Sequence, residues 1–298
     1  MKQQKWDSKN ISDQKGKVVI ITGANSGLGY ETARVLANKN ATIIVAVRNQ
    51  EKGNAALEKI KLESPNADIQ VMLVDLSNLE SIHSFAKGFK NKFNKLDLLI
   101  NNAGVMTPPY SKTKDGFELQ FGTNHLGHFA LTGLLIDLIK KTANSRIVNV
   151  SSIAHKIGKL NFEDLNWENR SYKKNRSYAD SKLANLYFTK ALQKRLNTQL
   201  SKVIVVSAHP GGTATELARH SLFYRMLNSI AQTSQMGALP TLYAAVAPEV
   251  KSNDYFGPSG FQEFRGYPKK VKPASHAQKD EVAERLWVVS EKMTGVCY

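Results

Sequence analysis

A strand, a glycine-rich turn and a helix follow one another directly near the start of the chain, and this order constrains the fold most strongly. Lys17–Thr22 is a β-branched apolar run, typical of a buried parallel strand. It continues into Gly23–Gly29, and a helical pattern begins at Tyr30. Such a turn sets backbone N–H groups and the positive end of a helix dipole against a phosphate. We therefore predict a nucleotide-binding turn, with a purely structural turn as the alternative.

The glycines follow the spacing Gly-x-x-x-Gly-x-Gly, which differs from the Gly-x-Gly-x-x-Gly dinucleotide fingerprint. Each glycine still has a physical use. We expect Gly23 to permit the turn, Gly27 to let a pyrophosphate approach, and Gly29 to let the helix pack on the sheet.

The same alternation of strand and helix continues over some 200 residues. The predicted strands are Lys17–Thr22, Ala41–Val47, Ile69–Val74, Leu96–Ile100, Arg146–Val150 and Val203–Ala208. The predicted helices are Tyr30–Asn38, Glu51–Glu63, Leu79–Phe93, Phe117–Lys141, Tyr178–Leu196 and Gln278–Met293. Parallel strands joined by right-handed helical crossovers form an α/β, doubly wound sheet of the Rossmann type, with helices on both faces.

We expect a single domain over residues 1–298, because the sequence contains no interdomain linker, internal repeat or low-complexity tract. A polar lead occupies residues 1–15. Three stretches interrupt the alternation, and we interpret them as functional loops: Lys156–Ser177, Glu216–Gln235 and Ser252–Ala274.

Composition narrows the class of protein. A single cysteine, Cys297, excludes an intrachain disulfide and a cysteine metal cluster. The first ten residues lack the apolar core of a signal peptide, and the apolar segment Phe129–Ile139 is too short to span a bilayer. We therefore expect a cytoplasmic protein without a transmembrane segment. The net charge of +16 is scattered as lysines without a long basic block, which disfavours a nucleic-acid partner.

The end of the second predicted strand bears on which dinucleotide is bound. An acidic residue there would hold the ribose hydroxyls of NAD, whereas an arginine suits the 2′-phosphate of NADP. This chain has Arg48 followed by Asn49, which favours NADP over NAD. A solvated arginine at a strand end is the alternative, and the neutral Ser26 offers no second positive charge.

Tyr178 and Lys182 are four residues apart at the start of a predicted helix, so their side chains share one face. A nearby ammonium favours the phenolate form of a tyrosine. Bringing the tyrosine pKa from ~10 into the working range takes roughly 3–4 kcal/mol of differential interaction, which requires a charge held close in a dry site. Taken alone, such a pair is far more often a surface aromatic beside a solvated lysine.

Seven motifs occur in order: Thr22–Gly29, Asp75 with Leu76, Asn101–Gly104, Asn124 followed by Gly127, Val150–Ser152, Tyr178 with Lys182, and Pro210 with Gly211. In this order the chain resembles the short-chain dehydrogenases/reductases over about residues 15–295. Further segments resemble the retinol-dehydrogenase-like branch of that family: Ala46–Asn49 with Lys52 and Gly53, Ser151–His155, and His209–Gly211 with Thr215–Leu217.

The resemblance implies an oxidoreductase that passes a hydride between a nicotinamide and a carbonyl or alcohol carbon. It implies four catalytic residues. Tyr178 is the general acid and base with Lys182 beside it, and Asn124 holds a relay water. Ser152 polarises the carbonyl, with Ser151 as the fallback for this role. It implies these cofactor-binding residues: Gly23, Asn25, Ser26, Gly27, Leu28, Gly29, Arg48, Asn49, Asp75, Leu76, Asn102, Ala103, Gly104, Tyr178, Lys182, Pro210, Gly211, Thr213 and Thr215. Thr213 departs from the hydrophobic residue that is commoner at its position, and Asn124 could instead cap a kink in its helix.

Glu216–Gln235 presents apolar residues at helical spacing just after the expected nicotinamide segment. We interpret it as a lid over a lipophilic carbonyl or alcohol, with an ordinary core helix as the alternative. The insert Asn161–Arg176 is expected to rim the same cleft. The histidines at 128, 155 and 209 lack metal-ligand spacing, so we expect structural roles and no metal.

Three other functions stay open: a non-catalytic NADP-binding regulator, a nucleic-acid binder and a sugar-nucleotide epimerase. The combination of Ser152, Tyr178 and Lys182 disfavours the regulator, and the glycine spacing disfavours the epimerase. Pairing as a homodimer or homotetramer, through the long helices from Phe117 and Tyr178, is implied by the resemblance alone.

Overall fold

The computed structural model describes residues 5–213 and 231–298. Eight strands form one sheet in the order β3-β2-β1-β4-β5-β6-β7-β8. The strands are β1 Val18–Thr22, β2 Thr42–Val47, β3 Ile69–Leu73, β4 Leu98–Asn101, β5 Arg146–Val150, β6 Ile204–Ala208, β7 Tyr255–Pro258 and β8 Pro268–Lys270. Neighbouring strands are parallel from β3 through to β7, and β8 is antiparallel to β7. The predicted doubly wound parallel sheet is confirmed, with one antiparallel strand at its edge.

Helices cover the sheet on both faces. They are α1 Gly27–Ala37, α2 Gln50–Glu63, α3 Leu79–Lys92, α4 Leu119–Phe121, α5 Gly127–Lys141, α6 Lys174–Thr198, α7 Ser234–Val246 and α8 Asp280–Thr294. Side chains of the strands alternate between two buried clusters, since successive residues of a strand point to opposite faces. Ile20 packs in one cluster and Ile21 in the other, and both are fully buried.

The stretch Ser252–Ala274 does not leave the sheet, so its prediction as an excursion is wrong. It supplies β7 and β8, the last two strands. Both are short and contain glycine or proline, with Gly257, Pro258 and Pro268 among seven residues. These residues are depleted in strands, and this is why the sequence pattern concealed them.

Several helices differ from their predicted bounds by a few residues, and the helices around Asn124 and Tyr178 differ most. Helix α6 begins at Lys174, four residues before the predicted start at Tyr178. The prediction missed this first turn because its residues are polar and show no apolar periodicity. The predicted helix from Phe117 is interrupted by a π-helical segment, Gly122–Leu126, between α4 and α5. A π-helical turn carries an extra residue and often marks a functional site. Asn124 lies at its centre.

Helix α8 packs on α6 and α5. Trp287 of α8 and the carboxyl-terminal Tyr298 both contact the ring of Phe129, with ring centroids 5.0 and 4.9 Å apart. These ring contacts hold Tyr298 against α5 and α8. Across residues 5–213 and 231–298, no helix is both long enough and apolar enough to cross a bilayer.

Candidate active site

The predicted site residues gather at one edge of the sheet, where the parallel strands end. Gly23 follows β1, Asn102 follows β4, Ser151 follows β5 and His209 follows β6. Strand order reverses between β1 and β4. A crevice opens at such a reversal, beyond the carboxyl ends of the strands, and open α/β sheets bind ligands there.

The glycine turn has the backbone geometry that a phosphate cradle needs. Gly23 and Gly27 adopt left-handed φ angles of 67° and 55°. A β-carbon at Gly29 would lie closer than 3.0 Å to the carbonyl oxygen of Gly23 and to Asn102 Nδ2. Gly29 thus lets α1 approach the turn after β4 rather than the sheet in general. Ser26 precedes α1 without a side-chain cap, so the first backbone N–H groups of the helix can serve a ligand. The turn fits a dinucleotide pyrophosphate.

Thr22 joins the two turns that carry the cofactor-binding residues. Its Oγ1 accepts hydrogen bonds from the backbone N–H groups of Asn102 and Ala103, both at 2.9 Å. In return, Asn102 Nδ2 donates to the carbonyl oxygen of Thr22 at 2.8 Å. This buried threonine, as the last residue of a strand, was not predicted as a site residue. It holds the turns after β1 and β4 at a fixed spacing.

The side chain of Asn124 braces the loop after β4 against α6. Its Nδ2 donates to the carbonyl oxygen of Val105 at 3.0 Å and to Ser181 Oγ at 2.9 Å, and its Oδ1 accepts from Val105 N at 2.8 Å. His128 Nδ1 lies 2.9 Å from the carbonyl oxygen of Asn124. That oxygen can only accept, so His128 Nδ1 carries the proton, and burial lowers the pKa of His128 to about 4. The side-chain carboxamide of Asn124 thus has hydrogen-bond partners in Val105 and Ser181.

Lys182 is buried directly beside Tyr178. Its Nζ lies 5.8 Å from the centre of the Tyr178 ring and donates to the carbonyl oxygen of Val150 at 3.1 Å. Burial lowers the pKa of Lys182 to about 8. Gly104 lies between this ammonium and Asn124, since a β-carbon there would be 3.0 Å from Asn124 Oδ1 and 3.5 Å from Lys182 Nζ. A β-carbon at 104 would therefore press on Asn124 Oδ1 and lie in ordinary contact with Lys182 Nζ.

The two serines after β5 have different surroundings. Ser151 is 2% exposed, and its Oγ donates to the carbonyl oxygen of Lys182 at 2.8 Å. Ser152 is half-buried and its Oγ accepts from the N–H of Ala154 at 3.2 Å, which leaves its own proton for a further acceptor. Ser152 therefore suits a substrate contact better than Ser151.

A cavity of about 410 Å³ opens beside the glycine turn. Its lining includes Ser26 from the turn and two lysines of α2, Lys52 and Lys59. Arg48 is exposed at the end of β2, and Asn49 caps α2 by accepting the N–H of Lys52 at 2.8 Å. Lysines 52 and 59 supply the positive charge that Ser26 lacks. Neither lysine was predicted as a site residue, because α2 carries charge along much of its length.

Asp75 and Leu76 follow β3. Asp75 Oδ1 accepts from the backbone and hydroxyl of Ser77, at 2.9 and 2.6 Å. A β-carbon at Gly127 would lie closer than 3.0 Å to the carbonyl oxygen of Leu76, so the start of α5 packs directly on this turn. Gly127 thus packs on the turn after β3, whereas Asn124 bonds to the loop after β4.

The segment after β6 is a tight turn that reaches back to the glycine turn. Gly211 has a φ of 68°, and the carbonyl oxygen of Pro210 accepts from Thr213 Oγ1 and Gln232 Nε2, both at 2.7 Å. A β-carbon at Gly237 would meet both Thr213 and Leu28. Thr213 therefore lies near the glycine turn. Thr215 and most of the predicted lid, from 216 to 230, lie outside the described residues.

The insert Asn161–Arg176 packs against the segment that leads into α4. Tyr172 OH donates to Glu118 Oε1 at 2.8 Å, and the backbone of Glu118 is held by Asn166 Oδ1 at 3.0 Å. Burial, with the carboxylate of Glu118 beside it, raises the pKa of Tyr172. The predicted position of the insert at the rim of the substrate cleft stays a prediction.

The histidines expected to be structural are buried. Burial lowers the pKa of His155 to about 4 and also lowers that of His209, so both rings are neutral near pH 7. Within residues 5–213 and 231–298, no three histidine, cysteine, aspartate or glutamate side chains converge as a metal site.

Comparisons with known proteins agree with this arrangement. The short chain dehydrogenase family profile matches residues 17–222. Human retinol dehydrogenase 12 is 44% identical over 287 residues, which cover 94% of this chain and 87% of that protein. Human retinol dehydrogenase 13 is 43% identical over 291 residues, covering 94% of this chain and 85% of that protein.

Solved structures share the fold. A crystal structure of an uncharacterized protein from Mycobacterium Paratuberculosis superposes with a TM-score of 0.84 at 40% identity, covering 98% of both chains. A short chain dehydrogenase from Shigella flexneri, solved with NADP, superposes with a TM-score of 0.64 at 22% identity over 80% of this chain and 95% of that one. The second likeness concerns the fold alone. This chain belongs to the short-chain dehydrogenase/reductase family, in its retinol-dehydrogenase-like branch, and is an oxidoreductase.

Proposed function

We propose that the protein is an NADP-dependent oxidoreductase that interconverts a lipophilic carbonyl compound and its alcohol. The observation that carries this proposal is the buried Lys182 ammonium, 5.8 Å from the centre of the Tyr178 ring, at the crevice where the strand order reverses. A cation held there stabilises a tyrosinate, which is what a tyrosine needs to exchange a proton near neutral pH.

Tyr178 donates a proton to the carbonyl oxygen during reduction and accepts it from the alcohol during oxidation. Ser152 Oγ–H donates to the same oxygen and orients it. Lys182 stabilises the phenolate, and Asn124 holds the loop at Val105 and Ser181 of α6 in register through its three hydrogen bonds. When bound, a nicotinamide would supply the hydride for reduction or accept it in oxidation.

Three groups of residues would hold the cofactor. The turn Gly23–Gly29 would bind the pyrophosphate, Arg48 with Lys52 and Lys59 would bind the 2′-phosphate, and Pro210–Thr213 would face the nicotinamide. The lysines at the 410 Å³ cavity support NADP over NAD, because a 2′-phosphate adds two negative charges near them.

A lipophilic substrate is supported by the names of the relatives, since retinol is a largely hydrocarbon alcohol. We further propose that residues 1–298 form one domain, because both buried clusters lie on the same sheet. We also propose that any homodimer or homotetramer forms through α5 and α6, as the family resemblance implies, on parts of these helices outside their contact with α8.

The test is a panel of apolar and polar carbonyls and alcohols, assayed for NADPH oxidation or NADP reduction with NADH and NAD beside them. We expect turnover with NADPH and an apolar aldehyde or ketone. Equal use of NADH would overturn the cofactor preference. Binding of NADPH without turnover of any compound would instead favour a non-catalytic regulator.

A further inference from the structure

The loop 260–266, which joins β7 to β8 and is called the strap below, has an unfavourable backbone. Gln262 and Glu263 adopt φ angles of 49° and 60°, in the left-handed region that residues with a β-carbon avoid. Such conformations persist only where surrounding contacts hold them, and they cluster at functional sites. The contacts of the strap therefore indicate what it does.

The strap lies directly on the turn that is proposed to face the nicotinamide. The N–H of Gly212 donates to the carbonyl oxygen of Phe264 at 2.7 Å. A β-carbon on Gly211 would approach that same oxygen closer than 3.0 Å, and one on Gly212 would meet the Phe264 ring as closely. The two backbones are thus packed together without intervening side chains. A shift of the strap must move the turn.

One chain of hydrogen bonds connects the strap to the turn through a buried histidine. The N–H of Gly211 donates to His209 Nδ1 at 3.2 Å, which places the ring proton on Nε2. That Nε2–H lies 3.0 Å from Glu263 Oε2, which accepts it. Burial lowers the pKa of His209, and the His209 hydrogen bond lowers the pKa of Glu263, so a neutral ring donates to a carboxylate.

The histidine ring has no freedom to find another partner. His209 is fully buried, its ring lies 5.2 Å from that of Tyr255, and a β-carbon at Gly257 would collide with it. Lys156 Nζ approaches Glu263 Oε2 at 3.4 Å from the solvent side. The carboxylate of Glu263 therefore fixes both the tautomer and the orientation of His209.

We propose that Glu263 is a positioning residue for the cofactor: through His209 it holds the N–H of Gly211, and with it the turn Pro210–Thr213, in the orientation that accepts the nicotinamide. The proposal rests on the function proposed above. Glu263 acts on the nicotinamide half of the cofactor alone, because the adenosine half is assigned to Arg48 and α2 at the far end of the crevice.

The experiment compares two ligands on four proteins. NADPH and 2′,5′-ADP, which carries only the adenosine half, are titrated against the wild type, Glu263→Ala, Glu263→Gln and the control Glu284→Gln. Glu284 lies on α8, away from the crevice. It forms an ion pair at the surface with Arg195 of α6, at 2.8 Å. Thermal unfolding of each variant is recorded beside the titrations.

We expect Glu263→Ala to weaken NADPH binding by about tenfold, as loss of a charge-assisted hydrogen bond does, and to leave the 2′,5′-ADP affinity within about twofold. Its kcat should fall as well, since the nicotinamide is misoriented. Gln keeps an acceptor for His209 Nε2–H, so Glu263→Gln should recover most of the NADPH affinity and kcat. The control should match the wild type.

An alanine variant that binds NADPH as the wild type does would overturn the proposal. So would an equal loss of both ligands, which would indicate a general structural role, or a glutamine variant no better than alanine. If Glu263→Ala does not fold, Glu263→Gln against the wild type decides, with about a twofold to threefold loss expected for NADPH alone. Wild-type protein that binds no NADPH would instead refute the proposed function.

Discussion

Lys182 Nζ lies 5.8 Å from the centre of the Tyr178 ring, and its hydrogen bond is to a backbone carbonyl, that of Val150, rather than to a carboxylate. Among residues 5–213 and 231–298 no acidic side chain pairs with Lys182, so its positive charge acts on the nearby phenol. A paired lysine would have its field cancelled. This relationship supports the proposal that Tyr178 transfers the proton.

Replacing Tyr178 with Phe removes the proton donor and keeps the ring. We expect kcat to fall by at least about 10²-fold to 10⁴-fold, the usual contribution of general acid catalysis. NADPH affinity should change by less than about threefold. Steady-state kinetics measure kcat of the variant, and fluorescence titration measures its NADPH affinity. Appreciable turnover in the variant would refute the role of Tyr178.

Two glycine-to-alanine replacements should have opposite effects on stability. The β-carbon of Gly29→Ala would collide with Gly23 O and Asn102 Nδ2, so we expect a loss of about 1–3 kcal/mol in unfolding free energy and weaker cofactor binding. Gly88 lies in α3, where a β-carbon would meet only Met72 Cε at 3.8 Å. Gly88→Ala should therefore stabilise the protein by about 0.5–1 kcal/mol. Urea unfolding of both variants measures this, and a stable Gly29→Ala protein would contradict the collision.

The sequence was sufficient for the sheet from β1 to β6, because buried parallel strands are continuous apolar runs that local patterning detects. It was sufficient for the ordered motifs as well, since glycine turns and the pair Tyr178 and Lys182 depend on local spacing. It concealed β7 and β8, whose glycine and proline residues are strand-compatible only at this edge of the sheet.

The partners of the site residues could not be predicted for a different reason. Glu263 and His209 are 54 residues apart, and their contact depends on how β7 pairs with β6. Thr22 and Asn102 are separated by 80 residues and meet across two strands. Contacts of this kind follow from the register of the sheet. Residue spacing within a single segment therefore cannot predict these contacts.

The basic residues at the adenosine end should determine the cofactor preference. Replacing Arg48 or Lys52 with Ala removes a proposed contact to the 2′-phosphate, so we expect the dissociation constant for NADPH to rise about tenfold or more while that for NADH stays unchanged. Lys61→Ala, an exposed lysine near the end of α2, is the matched control and should change neither. Equal losses for NADPH and NADH would show that Arg48 and Lys52 do not recognise the phosphate.

Lys182 itself should destabilise the fold at neutral pH. Burial lowers its pKa from the usual 10.5 to about 8, so the folded protein holds the proton less tightly than the unfolded chain. This difference corresponds to about 3 kcal/mol of unfavourable free energy wherever the lysine is charged in both states. Replacement of Lys182 with Met should therefore raise the unfolding free energy by up to about 3 kcal/mol below pH 8 while abolishing turnover.

The stability difference between wild type and Lys182→Met should decrease as the pH rises. Between pH 8 and 10.5 the folded lysine loses its proton before the unfolded one does, so the penalty shrinks as pH rises and the two proteins converge. The carbonyl oxygen of Val150 stays satisfied in the variant, because Asn185 Nδ2 also donates to it at 3.1 Å. Urea denaturation of cofactor-free wild type and Lys182→Met at pH 7 and pH 10 measures the difference. A variant less stable than the wild type at pH 7 would mean that the protein stabilises this ammonium, and that its role in tuning Tyr178 carries no cost to the fold.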